Sequence, residues 1–96
     1  MSYNIGEFIK FDRHHLHLLT DTVGIIVKKW YSSDRWNYLV SLVQFKGDYC
    51  CLGDEHIKGI QDLSLEYKLS LLSGFDGWWY SRHKSIYQNI IVCAIK

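Results

Sequence analysis

Three groups of side chains in this chain are of types that can do chemistry. Asp12, His14, His15 and His17 fall within "DRHHLH", Cys50 and Cys51 precede His56 in "CCLGDEH", and residues 28–38, "KKWYSSDRWNY", gather three cations and four aromatic rings. Histidines beside a carboxylate are the raw material of a zinc site, which needs three or four ligands converging in a tetrahedron. In an extended loop His15 and His17 share one side while His14 points to the other, so Asp21, His56 or His83 would have to be recruited from elsewhere. The segment therefore reads as a solvated loop that titrates near pH ~6.5, and no metal is expected.

A thiol near an imidazole is the minimum for an activated nucleophile, but adjacent strand residues such as Cys50 and Cys51 point to opposite faces and neither sits in a recognisable motif. There is no Gly-rich phosphate loop, no GxSxG, no HExxH and no paired carboxylates on a shared scaffold. The expectation is a protein without catalytic residues or cofactor, not an enzyme. Cys50, Cys51 and Cys93 are an odd set without CxxC spacing, which suits free thiols in a reducing compartment. With no apolar run of membrane-spanning length and no basic-then-apolar start in "MSYNIGEFIK", a cytoplasmic location is expected.

The third group supports binding. Bases can stack on Trp30, Tyr31 or Trp36 while Lys28, Lys29 and Arg35 contact phosphates, each stacked base contributing about 1–3 kcal/mol. Against this, Asp34 lies in the same segment, and the whole chain balances eleven Lys and Arg with ten Asp and Glu, so no global field draws it to a polyanion. Cross-strand rings near a hairpin tip also stabilise the hairpin itself, and aromatics with an arginine are equally the composition of a protein interface. A second aromatic cluster, Trp78, Trp79 and Tyr80, has Arg82 and Lys84 nearby. On a strand Trp79 would face away from Trp78 and Tyr80, leaving at least one large ring near the surface unless something covers it.

The elements that must position these groups are short β-branched and aromatic runs separated by polar residues and glycine, in a single proline-free domain of 96 residues. "NIGEFIKFD" alternates with two partly apolar faces. A long loop, 12–22, holds Leu16, Leu18 and Leu19 and could lie over the mouth of a barrel. "VGIIVKKWY" reads as a central strand with Gly24 where another backbone approaches closely. If Ile25 and Val27 face the core, Lys28 and Trp30 share the opposite face. "WNYLVSLVQF" returns after "SSDR" with Tyr38, Val40 and Leu42 on one face and Leu39, Ser41 and Val43 on the other. "KGD" turns into "YCCLG", and "DEHIKGI" gives one helical turn, capped by Asp54, leading into a closing fifth strand. Beyond residue 60, Leu65, Tyr67, Leu69 and Leu71 alternate with polar residues as in a strand, and "WWYS" pairs with "IYQNIIVCAIK" as a terminal hairpin. A helix over 85–95 fits the same apolar residues.

The order "IGEFIKF … VGIIVKKW … WNYLVSLVQF … YCCLGDEHIKGI" resembles the Src-homology-3-like small β-barrels found in short proteins of tailed bacteriophages. Ile5, Gly6, Ile9 and Phe11 match the first element of that pattern, Val23 to Val27 the second, Tyr38 to Val43 the third, and Asp54, Glu55 and Ile57 the closing turn. The resemblance covers about two thirds of the chain and implies geometry, not a reaction.

The expected architecture is an all-β, Src-homology-3-like small barrel (residues 1–60) with a C-terminal β-hairpin extension (61–96) in one domain, 1–96. The expected function is a non-catalytic protein-interaction module, phage-encoded, acting as an effector on a host protein or as an assembly component in the host cytoplasm or virion. Its partner-binding residues would be Trp30, Tyr31, Arg35, Trp36, Trp78, Trp79 and Tyr80, with self-association a further option. The alternative is a nucleic-acid-binding barrel that uses Lys28, Lys29 and Arg35 of the 28–38 hairpin.

Overall fold

The structure, a computed structural model, describes residues 3–11, 22–43 and 48–95, the side chains of 22 and 90–95 excepted. Five strands come first: β1 (Phe8–Phe11), β2 (Thr22–Ser32), β3 (Arg35–Leu42), β4 (Tyr49–Gly53) and β5 (Ile57–Ile60). They form one antiparallel sheet in the order β4-β3-β2-β1-β5, so β2 lies in the centre as its apolar run predicts. A 3₁₀ turn, Asp54–His56, links β4 to β5. Three helices follow: α1 (Leu65–Leu72), α2 (Gly77–Arg82) and α3 (Lys84–Ile95).

Both faces of the sheet are buried, because β1 and β2 carry apolar residues on both sides. One face presents Ile9, Phe11, Ile26, Tyr38 and Val40, joined by Leu52 of β4 and Ile57 of β5. The sheet curves so that residues from all five strands meet there. The opposite face presents Phe8, Ile25 and Val43, which the helices and the α1–α2 connection cover with Leu72, Phe75, Trp79 and Ile86.

At Gly24 a methyl group would stand 2.2 Å from Val40 Cγ1 and 3.1 Å from the Ser41 carbonyl oxygen. The close backbone approach expected of this glycine is present, and any side chain would force β2 and β3 apart.

The antiparallel β sheet of the first sixty residues agrees with the sequence. The C-terminal β-hairpin does not: residues 65–72, 77–82 and 84–95 are helical. The physical reason is visible in the helix starts. Ser64 accepts the Tyr67 N–H at 3.2 Å and Asp76 accepts the Trp79 N–H at 3.0 Å, each satisfying an amide that the first helical turn leaves orphaned. Leu65, Leu69 and Leu72, four and three residues apart, then align on the inward face.

The faces of β2 also differ from the simple alternation. A β-bulge falls between Ile26 and Lys28, where Val27 is the extra residue. Beyond it the side chains are shifted by one, so Lys28 and Trp30 follow the face of Ile25, whereas Lys29 and Tyr31 share the face of Ile26 and Tyr38. Asp54 does not cap the 3₁₀ turn: Gly53 stands at that position, and its N–H donates to His56 Nδ1 at 3.2 Å. His14, His15, His17 and the proposed Leu16–Leu19 covering segment lie outside the described residues, as do the "KG" of the third turn and the Cys93 side chain.

Candidate partner-binding site at the hairpin tip

The β2–β3 hairpin closes through Ser33 and Asp34, both with positive φ, 54° and 61°. Two consecutive left-handed residues make a two-residue turn of the I′ kind, whose twist matches the strands it joins. Neither is glycine or asparagine, so the turn is held against an intrinsic cost. Asn37 braces it: its Nδ2 donates to Ser32 Oγ at 3.1 Å and to the Arg35 carbonyl at 3.2 Å.

Just below this turn the bulge brings Lys29, Tyr31, Trp36 and Tyr38 to one face. Tyr31 and Trp36 are directly paired across the strands and meet edge to face, 5.4 Å between centroids. Lys29 Nζ lies 4.9 Å above the Trp36 ring and donates to the Tyr3 carbonyl at 3.3 Å. Tyr3 in turn packs edge-on against Tyr38 at 5.9 Å. The four rings thus run from buried Tyr38 to Tyr31 at the tip, which is 59% exposed.

Polar groups fix the inner end of this row. The Tyr38 hydroxyl donates to Asp54 Oδ1 at 2.5 Å and accepts the Tyr3 N–H at 3.1 Å. Burial, and then the bond to Asp54, push the Tyr38 hydroxyl up to about pKa 12. At the outer end Arg35 is ion-paired with Glu55 of the 3₁₀ turn, both side chains half exposed. An exposed pair of this kind contributes little stability but sets the direction of both side chains.

Of the residues expected to bind a partner, Tyr31, Arg35 and Trp36 come together here. Trp30, half-buried, is on the other face of the hairpin, opposite Asn37. Trp78, exposed, and Tyr80, half-buried, lie on α2, away from the tip. Trp79 is 1% exposed; its ring stacks on Phe75 at 4.3 Å and its Nε1 donates to Ser41 Oγ at 2.9 Å. It is a core residue that fastens the helices to the sheet, with no face left for a partner. Helical spacing, not strand alternation, separates it from Trp78.

Three members of the site escaped the sequence reading as partner-binding residues. Lys29 was placed only among phosphate contacts, because the bulge that turns it onto Trp36 leaves no mark in "IIVKK". Tyr3 and Glu55 arrive through chain reversals far from the hairpin in sequence. Glu55 alone carried a signal, as a carboxylate in the acidic turn that must pass near the β3 start if five strands close in this order.

Near the far end of β3 a second polar pair joins β4 to α2: Tyr49 Oη and His83 Nε2 are 2.8 Å apart. Burial, and secondarily the Arg82 charge, hold His83 below its ordinary pKa, and burial raises Tyr49. The pair is polar glue between layers; His56, by contrast, turns its Nδ1 to the Gly53 N–H. Among the described residues no three His, Cys, Asp or Glu side chains gather as metal ligands, and no helix is long and apolar enough to cross a membrane. No family model, curated protein or solved structure matches this chain.

Proposed function

We propose that this protein is a non-catalytic binding module that recognises another protein through the β2–β3 hairpin tip, with Tyr31 and Trp36 as anchors and the Arg35–Glu55 pair as a polar rim. The observation that carries the proposal is the exposed Tyr31 ring held edge-on to Trp36. A rigid ring with one apolar face in water has the low entropy cost and large contact area that make aromatic residues interface hot spots.

The strand order and the 3₁₀ turn before β5 support the Src-homology-3-like assignment, in which sheet curvature carries the tip and the turn side by side. Taken with the likeness to phage small barrels, the role proposed is that of an effector on a host protein or a component of a phage assembly.

Nucleic-acid binding is the weaker reading, because two of its three cations are engaged: Arg35 by Glu55, and Lys29 by the Tyr3 carbonyl and the Trp36 ring. Polyanion affinity scales with the number of cations that neutralise phosphates. Titration with a short mixed-sequence single-stranded oligonucleotide at low salt, followed by tryptophan fluorescence, is expected to give no saturable change. Saturable binding that falls steeply with salt and weakens in Lys28→Ala with Lys29→Ala would transfer the tip to nucleic acid.

A further inference from the structure

The helical layer carries a second surface, remote from the hairpin tip in sequence and in element. Asp76 is the last acidic side chain of the chain; residues 77–96 hold Arg82, Lys84 and Lys96 and no Asp or Glu. On α2, Trp78 is 56% exposed, and the Arg82 guanidinium lies 5.5 Å from its ring centroid, one helical turn on. Beside it an open groove of about 580 Å³ is lined by Tyr80, Ser81, Lys84, Tyr87 and Gln88. Ser81, three residues after Trp78, joins the two features on one helix face.

The walls of this groove are fixed. Tyr80 donates its hydroxyl to the Leu72 carbonyl, and Tyr87 meets the Tyr80 ring edge-on at 5.2 Å. The cations are not neutralised: among the described residues neither Arg82 nor Lys84 has a carboxylate partner, in contrast to Arg35. A guanidinium lying over an indole keeps its N–H edge available for a carboxylate. The volume lies within the roughly 300–1,000 Å³ that holds a small ligand or a few residues of chain.

We propose that the α2–α3 groove docks a short, extended, acidic segment of a partner protein, with an apolar or aromatic side chain over Tyr80 and Tyr87 and flanking carboxylates on Arg82 and Lys84. Charge complementarity selects this occupant: Lys84 lines the aromatic groove, and Arg82, over the Trp78 ring, follows Ser81 of its wall, so carboxylates beside an apolar ring would meet both cations. A nucleic acid or an anionic bilayer would call for a longer row of cations than two. The proposal stands apart from the hairpin tip and survives if the tip binds nothing.

The test is titration of the ¹⁵N-labelled full chain, observed by amide chemical shifts, with the peptide acetyl-Glu-Glu-Phe-Glu-Glu-amide. Parallel titrations use its lysine counterpart, a short oligothymidylate, and vesicles of phosphatidylserine and phosphatidylcholine. The expected result is saturable shifts centred on residues 78–88 with the acidic peptide. Affinity should fall about tenfold or more in Arg82→Glu with Lys84→Glu, as for loss of a close interfacial charge contact, and should also fall in Trp78→Ala, whose ring is exposed and can be removed without unfolding. Tyr31→Ala should leave it unchanged. Absence of saturable shifts, equal response to the lysine peptide, or tighter binding of the oligonucleotide or vesicles would overturn the proposal.

Discussion

Single residues in this fold divide sharply between those that hold it together and those that face outward. Tyr38 belongs to the first kind although it is chemically the same as exposed Tyr31. Its hydroxyl sits in a part-buried bond to Asp54, and its pKa is raised to about 12. The unfolded chain releases this proton near pH ~10, so between pH 10 and 12 the unfolded state binds fewer protons and stability must fall as pH rises. Tyr38→Phe is expected to cost about 1.5–3 kcal/mol at neutral pH, since Asp54 loses its donor, and to flatten that alkaline decline. Denaturation by urea across pH 8–11 checks both, and an unchanged alkaline slope would show that Tyr38 is not its source. Ser41 is the buried polar residue of β3, fully inaccessible, and the Trp79 indole N–H depends on it. Ser41→Ala should destabilise by about 1–3 kcal/mol through the orphaned donor. In the sequence Ser41 looks like a flaw in "YLVSLV"; only the helix that brings Trp79 over it explains the hydroxyl.

Elements were legible where local pattern and tertiary demand agree. Gly24, the central run of β2, the "YCCLG" strand and the helical turn at "DEH" could all be read from alternation and punctuation. The bulge at Val27 could not, since both possible faces of β2 are apolar up to that point and hydrophobic pattern fixes register only when one face is polar. The C-terminal third was misread because Leu65, Tyr67, Leu69 and Leu71 alternate as in a strand, while Leu65, Leu69 and Leu72 of the same stretch also satisfy the four-three spacing of a helix. The Ser64 and Asp76 caps were the signal that decides it. The helix over 85–95, held as a second option, corresponds to α3. The hairpin turn offers a test at this scale. Ser33 and Asp34 occupy left-handed conformations that cost non-glycine residues roughly 1–2 kcal/mol each. Ser33→Asn with Asp34→Gly, the favoured pair for this turn, should stabilise by about 0.5–1 kcal/mol. The expected readout is a rise of a few degrees in Tm. A fall would mean that the Ser33 or Asp34 side chain itself holds the tip.

At the scale of the whole molecule, one curved antiparallel sheet carries a core on each face, and two aromatic, cationic surfaces emerge at different places on it. The tip was legible as composition, since its rings and cations are contiguous in sequence; which rings face outward was not, because that depends on the bulge and on Tyr3 and Glu55 arriving from distant segments. The α2 surface was legible as "WWYSRHK", but strand alternation set Trp79 apart from Tyr80, whose ring it meets edge-on at 5.7 Å. If the tip is the interface, its anchor can be removed without harm to the fold, because Tyr31 contributes an edge contact to Trp36 worth about 0.2–1 kcal/mol and little buried area. The most direct measurement is affinity capture from a cell lysate on immobilised wild type and Tyr31→Ala, after nuclease treatment and at raised salt, with Tm recorded for both proteins. A protein retained by wild type and lost from Tyr31→Ala, with Tm lowered by no more than a few degrees, is the expected result. Retention that is identical in the two, or that disappears with nuclease, would contradict a protein-binding role for the hairpin tip.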